Sequence, residues 1–175
     1  MRLLTAILIV CASLAVVFHR ASASLRATSI SRPESPSPPP PPAAVCNNSA
    51  LTQLWAHVYN PQRLLVRHAC VRATGTIVLL RPEKDGDIHI QVKMDPRYQN
   101  LVAPGNSRQG GNLVVEPICT HKVTQPDAVA SCAGFTFPVS VFPVGTHVGI
   151  RGPLVFDRHH GWSEIHPVEK MVRLP

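Results

Sequence analysis

A strict alternation of apolar and polar residues over eight positions constrains this fold more than any other feature. The segment Asp87–Met94 reads DIHIQVKM, and every second residue in it is apolar. Successive side chains of a β-strand point to opposite faces of a sheet, so a period of two predicts a strand with one buried face and one polar face. The apolar residues expected to be buried are Ile88, Ile90, Val92 and Met94.

Other segments rich in β-branched residues are also predicted to form strands. These predicted strands are Cys70–Leu80, Leu113–Cys119, His147–Phe156 and Trp162–Val172. Gly75, in the middle of the first strand, suggests a bulge or a sharp bend there. A short helix is predicted at Pro126–Ala133, because a proline opens the segment and Gly134 follows it.

The resulting order β-β-β-α-β-β predicts a mainly β fold. Its closest architecture is a five-stranded, OB-like antiparallel barrel with one short helix between strands 3 and 4. A β-sandwich is the alternative. A closed barrel leaves few unpaired strand edges, which suits a small exported domain. Residues 49–57, ahead of the first strand, are expected to form one or two helical turns.

Residues 1–23 are predicted to be a cleaved export signal. Arg2 gives a positive start, residues 3–18 are almost entirely apolar, and Ala21–Ala23 supplies the small-x-small pattern that a signal peptidase requires. A helix over the apolar stretch would span about 24 Å, short of the roughly 30 Å hydrocarbon core of a bilayer. Cleavage is therefore favoured over an uncleaved anchor, and a lipoprotein signal at Cys11 fits less well. The mature chain is expected to be secreted, without a transmembrane span.

Residues 24–45 are predicted to be a disordered, proline-rich linker. The run Pro38–Pro42 favours extended polyproline II backbone. The linker would act as a spacer that holds the folded domain, residues 46–175, away from whatever the chain is attached to.

The charge balance bears on the partner. The formal net charge is +7, and loss of Arg2 and Arg20 with the signal leaves 15 basic and 10 acidic residues, or +5. This balance favours an anionic polymer, a glycan or a protein as partner. Nucleic acid is not favoured, because aromatic residues make up only 5% of the chain and binding of single strands relies on aromatic stacking.

Four cysteines remain after the predicted signal: Cys46, Cys70, Cys119 and Cys132. An even number in an exported chain predicts disulfides, and four cysteines allow three pairings. The pair Cys119–Cys132 is favoured, since it would tie the third strand to the helix, and Cys46–Cys70 then follows by elimination. A cysteine zinc site is less favoured because no CxxC motif is present.

Four stretches of the chain resemble a known group of proteins: GDIHIQV, GNLVVEPIC, VTQPDAVASCAGF and DRHHGWSEIHPV. They are similar to a family of small exported or membrane-tethered bacterial and archaeal proteins of uncharacterised function. Its hallmarks are Gly-Asp-x-His and His-Gly-Trp-x-Glu-Ile-His-Pro, and the resemblance covers about residues 60–172. It implies an OB-like fold and export, and it implies no activity.

The candidate site comprises histidines and carboxylates from three segments. Alternation places Asp87 and His89 together on the polar face of the second strand, and Glu164 and His166 together on the last strand. In an OB barrel one strand would separate the two pairs, leaving about 10 Å between the histidines. The ligand or metal candidates are therefore His89, Asp157, His160, Glu164 and His166, supported by Asp87 and Trp162.

Imidazole together with carboxylate suits zinc or another divalent metal, so zinc is the possible cofactor. No catalytic residue is assigned, because the chain contains no GxSxG, HExxH or P-loop motif. The structural alternative is that Asp87 shapes a turn and that Glu164 pairs with Arg151 or Lys93.

Three functions follow from these features. The first is a secreted or surface-tethered, non-catalytic OB-fold binding module for an oligosaccharide, a peptide or a polyanion. The second is a metal-dependent, nuclease-like hydrolase using His89, His160, Glu164 and His166. The third is a structural, envelope-associated domain. The first is favoured, on the binding habits of OB surfaces.

Overall fold

The structure, a computed structural model, describes residues 45–136 and 139–175. This part of the chain contains six strands and few helices. The strands are β1 (Leu64–Pro82), β2 (Ile88–Met94), β3 (Leu113–Val115), β4 (His147–Asp157), β5 (Trp162–Ile165) and β6 (Lys170–Arg173). The helices are α1 (Asn48–Ala56), α2 (Val129–Cys132) and 3₁₀ turns at Pro61–Arg63, Pro96–Leu101, Pro104–Gln109 and Pro126–Ala128. The predicted mainly β class and both predicted helical segments are confirmed. The predicted signal, and the linker apart from Val45, lie outside the described residues.

The six strands form one sheet that closes into a ring. The strand order is β1-β2-β3-β5-β4-β6, and β1 also pairs with β4. All pairings are antiparallel except that of β3 with β5, which is parallel. The ring therefore runs β1-β2-β3-β5-β4 and back to β1, with β6 attached to β4.

β1 closes the ring because it is long enough to have two partners. Leu64–Thr76 pairs with β4, and Gly75–Pro82 pairs with β2. A Cβ on Gly75 would lie 2.7 Å from Val92 Cγ1 and would overlap the carbonyl oxygen of Lys93, so only glycine permits this close approach. The bulges of β1 lie elsewhere, between Ile77 and Leu79, Val66 and His68, and His68 and Val71.

The predicted fifth strand, Trp162–Val172, is wrong as a single element. β5 pairs with β3 and with the end of β4, whereas β6 pairs with the beginning of β4. Pro167 lies between them, and proline has no N–H with which to continue a strand ladder. The sheet therefore has six strands where five were expected.

Other predicted boundaries also shift. β1 begins at Leu64, six residues before the predicted start at Cys70. Residues 65–69 are exposed, so their sequence shows no alternation from which this part of the strand could be predicted. β3 ends at Val115, two residues before Pro117. Between β2 and β3 the chain forms two 3₁₀ turns, each with proline in its first turn.

The interior of the ring is apolar. The predicted alternation in β2 is confirmed: Ile90, Val92 and Met94 are buried in this core, and Ile88 packs partly against it. Further core residues come from every other strand of the sheet, including Ile77, Val115, Ile150, Ile165 and Met171.

A second apolar layer covers part of the outer face of the ring. Asn47 caps α1, because its side-chain oxygen accepts the N–H groups of Ser49 and Ala50. The buried α1 residues Leu51 and Leu54 belong to a cluster that also contains Val155 of β4. Two disulfides, Cys46–Cys70 and Cys119–Cys132, border this layer, and both match the predicted pairing.

Asn106 fastens the 3₁₀ turn Pro104–Gln109 to β5. Its Oδ1 accepts the N–H groups of Ala103 at 3.0 Å and Ser163 at 2.9 Å. Its Nδ2 donates to the carbonyl oxygens of Asn112 at 2.9 Å and Ser163 at 3.0 Å. These bonds attach the turn to the backbone of β5, and Gln109 at the end of the turn reaches His89 of β2 at 3.1 Å.

Replacing Gly105 by alanine is expected to destabilise the fold by about 1–3 kcal/mol, the usual cost of overpacking. A Cβ there would overlap the carbonyl oxygen of Gly161, so backbone would have to move. Urea denaturation measures the effect, and Ser107→Ala, at an exposed site in the same turn, is the control. Equal urea midpoints for the two variants would show that this close approach does not exist.

Within the described ranges, no helix combines the length and apolar character that crossing a bilayer requires.

Candidate functional site

A row of three polar side chains crosses neighbouring strands on the outer face of the ring. His89 lies in β2, Glu116 follows β3, and His166 follows β5. The backbone N–H of Glu116 donates to the carbonyl oxygen of Ile165 at 3.0 Å, which sets the last two side by side. The residue next to each on its strand faces the apolar interior: Ile90, Val115 and Ile165.

Glu116 joins the two histidines. Its Oε1 lies 3.0 Å from His89 Nδ1, and its Oε2 lies 2.8 Å from His166 Nδ1. His166 Nδ1 also lies 3.1 Å from Glu164 Oε2, and Glu164 Oε1 accepts the indole N–H of Trp162 at 2.5 Å. The result is a continuous chain of polar contacts across three strands.

Asp87 completes this His–carboxylate cluster, which we define as Asp87, His89, Glu116, Glu164 and His166. Asp87 Oδ1 accepts the N–H of Cys119 at 2.9 Å. Its Oδ2 faces His166 Nε2 at 3.8 Å, which is too far for a hydrogen bond. The exposed fractions of the five residues are 4%, 2%, 7%, 0% and 0%, in chain order.

His166 Nε2 is exceptional within the described part of the chain, where it is the one buried side-chain nitrogen or oxygen without a hydrogen-bond partner. Buried polar atoms are nearly always paired, so each exception needs an explanation. The unpaired nitrogen points toward a carboxylate oxygen that it does not reach.

A second group adjoins the cluster. Asp157 Oδ1 accepts the N–H groups of His159 at 2.7 Å and His160 at 3.0 Å, and Oδ2 lies 2.9 Å from His160 Nδ1. The same Oδ2 forms a buried ion pair with the Arg63 guanidinium. Arg63 Nη2 lies 4.0 Å from Glu116 Oε2, so this arginine stands between the two groups.

Burial and pairing shift the pKa values in opposite directions. Burial raises the pKa of Asp87 to about 8. Burial alone would lower the pKa of His166, but its hydrogen bonds to Glu116 and Glu164 outweigh this and raise it to about 10. Burial likewise opposes ionisation of Glu116, yet the hydrogen bonds from His166 and His89 lower its pKa. The pKa of His89 is raised, because its bond to Glu116 outweighs burial.

A polar pocket of about 320 Å³ opens above the cluster. His89 and Glu116, both almost fully buried, form its deepest part. Its walls carry three carboxylates and two guanidinium groups. The lining residues are Tyr59, Asn60, Arg63, Arg81, Glu83, Asp85, His89, Glu116, Gln125, His159, His160 and Trp162.

Among the residues that the structure describes, three groups of side chains have ligand-type atoms within 4.8 Å of one another. One contains Cys119 and Cys132, whose sulfur atoms are bonded to each other. The other two are Asp87 with Glu116 and His166, and Asp157 with His160 and Glu164.

The structure brings the sequence-predicted candidates to one region. His89, His166, Glu164 and Asp87 share the cluster, and Trp162 donates to Glu164. Asp157 and His160 form the adjoining group, in which His160 is exposed and stacks on Trp162 with ring centroids 4.5 Å apart.

Two expectations about these residues are wrong. The polar face of β2 was expected to face solvent, but Asp87 and His89 are buried. Asp87 packs against the Cys119 backbone, and Gln109 of the overlying turn contacts His89. Glu164 pairs with neither Arg151 nor Lys93, since Arg151 pairs with Glu169 at 2.6 Å.

Sequence reasoning missed Glu116 and Arg63. Glu116 is the carboxylate that fills the gap expected between His89 and His166. Its signal was a lone acidic residue at the end of the apolar run Leu113–Val115. Arg63 had no comparable signal, because its role depends on a contact with Asp157, far away in the sequence.

Neither a protein-family model nor a curated protein matches this chain. Its function must therefore be argued from the geometry of the site.

Proposed function

We propose that this chain is an extracytoplasmic, non-catalytic binding module of the OB type, which holds a polar ligand in the pocket above the His–carboxylate cluster. The closed order β1-β2-β3-β5-β4 and the short helix between β3 and β4 support the OB assignment. The two disulfides support an oxidising compartment.

The observation that carries this proposal is the burial of five ionisable side chains beneath an open pocket. Removing charged groups from water costs several kcal/mol per ion, and apolar residues of similar size would often stabilise the fold as well or better. Stability therefore does not account for the cluster. Ionisable groups with strongly shifted pKa values beside a pocket are typical of functional sites.

The lining of the pocket favours an oligosaccharide among the three ligand classes considered from the sequence. Carboxylates outnumber guanidinium groups in the walls, which works against a polyanion. The amides of Asn60 and Gln125 and the exposed guanidinium of Arg81 offer planar hydrogen-bonding groups suited to hydroxyls. OB surfaces commonly bind oligosaccharides.

A metal-dependent hydrolase is the second candidate. It is favoured by the group Asp87, Glu116 and His166, because Glu116 belongs both to this group and to the pocket lining. Release of shorter products from a bound oligosaccharide, measured by mass spectrometry, would favour this candidate over the binding module.

Replacing Arg81 by alanine is expected to weaken oligosaccharide binding about five- to tenfold, the value of one hydrogen bond. The Arg81 side chain is 60% exposed at the pocket, so its loss should leave the fold intact. Calorimetric titration with an oligosaccharide panel measures the change.

The matched control is Arg72→Ala, which removes an exposed arginine of β1 that lines a different pocket. Its affinity should equal that of the unmodified protein. Equal weakening in both variants, together with a steep loss of affinity as salt rises, would identify a polyanion bound by overall charge and would contradict the pocket proposal.

A further inference from the structure

We infer that Asp87, Glu116 and His166 bind one divalent transition-metal ion, which fixes the deepest part of the pocket. This inference deepens the proposed function, because the ion would hold Glu116 in place beneath the ligand.

The two ring nitrogens of His166 have different surroundings. Nδ1 lies 3.1 Å from Glu164 Oε2 and 2.8 Å from Glu116 Oε2. Metal-bound histidines almost always donate their second ring N–H to a carboxylate or carbonyl, which fixes the tautomer and the ring orientation. His166 already has this arrangement, and the nitrogen left over, Nε2, is the buried atom without a partner.

The gap in front of Nε2 has the width that an ion requires. Nε2 and Asp87 Oδ2 are 3.8 Å apart. Zinc lies about 2.0–2.1 Å from histidine nitrogen and about 2.0–2.2 Å from carboxylate oxygen, so one ion can contact two ligand atoms up to about 4 Å apart. Glu116 offers the third ligand atom, since the ligand atoms of the three residues lie within 4.8 Å of one another. To bind the ion, its Oε2 would turn away from His166 Nδ1, which keeps Glu164 Oε2 as its acceptor at 3.1 Å.

The adjoining group of Asp157, His160 and Glu164 is already satisfied. Both oxygens of Asp157 accept hydrogen bonds, and the Arg63 guanidinium supplies a positive charge. Both oxygens of Glu164 are also occupied, by Trp162 and His166. The unpaired nitrogen therefore selects the first group as the ion site.

The charges of the two groups also favour a bound ion. The two groups contain four buried carboxylates, and their one arginine partner in the described structure is Arg63. Buried carboxylates need paired cations or metal ions. One imidazole with two carboxylates suits zinc, manganese or ferrous iron, whereas calcium and magnesium prefer oxygen ligands alone.

The position of the ion follows from the lining of the pocket. Glu116 lines the pocket, whereas Asp87 and His166 lie behind it. An ion held by all three would lie beneath the pocket surface, and it would orient Glu116 and, through Glu116 Oε1, His89.

The test uses the full chain, treated with EDTA, dialysed and titrated with Zn²⁺ and with Mg²⁺ by calorimetry. We expect one Zn²⁺ per chain, a raised melting temperature with Zn²⁺, and much weaker binding of Mg²⁺. Asp87→Asn and His166→Asn should each weaken Zn²⁺ binding at least about tenfold, the loss that even outer-shell changes cause.

The matched control is His160→Asn, taken from the adjoining group, which should bind Zn²⁺ as the unmodified chain does. Asp87→Asn keeps an acceptor for the Cys119 N–H, so it carries the test if His166→Asn fails to fold. Absence of Zn²⁺ binding in the unmodified chain overturns the inference. So does loss of binding in His160→Asn with retention in Asp87→Asn.

The two proposals fail separately. A chain that binds oligosaccharide in the pocket but takes up no Zn²⁺ refutes the metal site alone. A chain that binds Zn²⁺ through Asp87 and His166, but binds no member of the oligosaccharide panel, refutes the pocket proposal and leaves the metal site standing.

Discussion

Replacing Arg63 by methionine is expected to lower the free energy of unfolding by about 3–5 kcal/mol, the cost of leaving a buried charge without its partner. The Arg63 guanidinium pairs with Asp157, whose side chain is completely buried, and it lies 4.0 Å from Glu116. Methionine keeps the apolar stem but removes the charge. Both carboxylates would then lack the one guanidinium that serves them in the described structure.

Urea denaturation at neutral pH measures this loss. The control is Arg72→Met, which makes the same replacement at an exposed position of β1 and should change the free energy of unfolding by less than about 0.5 kcal/mol. A second variant, Arg63→Lys, keeps the charge but loses the planar fork, and it should fall between the two. Equal stability of Arg63→Met and Arg72→Met would mean that the buried ion pair does not form.

Removing the Cys46–Cys70 disulfide, by changing both residues to alanine, is expected to cost about 3.5 kcal/mol. This value follows from the chain-entropy model for a sequence separation of 24. The disulfide joins the residue ahead of α1 to β1, and α1 covers the outer face of the ring through Leu51 and Leu54. Without the cross-link, this covering layer should open more often than the sheet.

Calorimetric melting measures the overall loss, and amide hydrogen exchange locates it. Exchange should accelerate in α1 and remain slow in β2 and β3. The matched control removes Cys119–Cys132 in the same way. It should cost about 3 kcal/mol, for a separation of 13, and accelerate exchange in α1 less than removal of Cys46–Cys70 does, because it leaves the chain ahead of α1 tied to β1. Uniform acceleration across α1 and the sheet would show that α1 is no separate layer.

Local patterns were sufficient to predict most of the framework. Alternation alone identified β2 and its buried residues Ile90, Val92 and Met94, because a period of two needs no knowledge of neighbouring strands. The proline-opened segment at Pro126 predicted the short helix for an equally local reason. The cysteine count and the predicted export signal indicated disulfides, and the predicted positions of the third strand and the helix favoured the pairing that the structure shows.

The site could be predicted only in part, because it depends on strand register. His89 and His166 were identified by type and spacing, but Glu116 joins them only because β3 pairs antiparallel with β2 and parallel with β5. Arg63 reaches Asp157 only because β1 and β4 pair along their full overlap. No local pattern records such pairings. The division between β5 and β6 is different, because Pro167 is a local signal that the prediction of a single strand overlooked.

The pairing that closes the ring also bears on how the chain acquires its structure. Leu64 of β1 meets Asp157 of β4, more than ninety positions later. Forming a contact of such long sequence separation costs much chain entropy before the contact itself stabilises the chain. Proteins rich in such contacts fold in milliseconds to seconds. The carboxylate of Asp157 can exchange its water for the Arg63 guanidinium only once β1 and β4 have paired at this end.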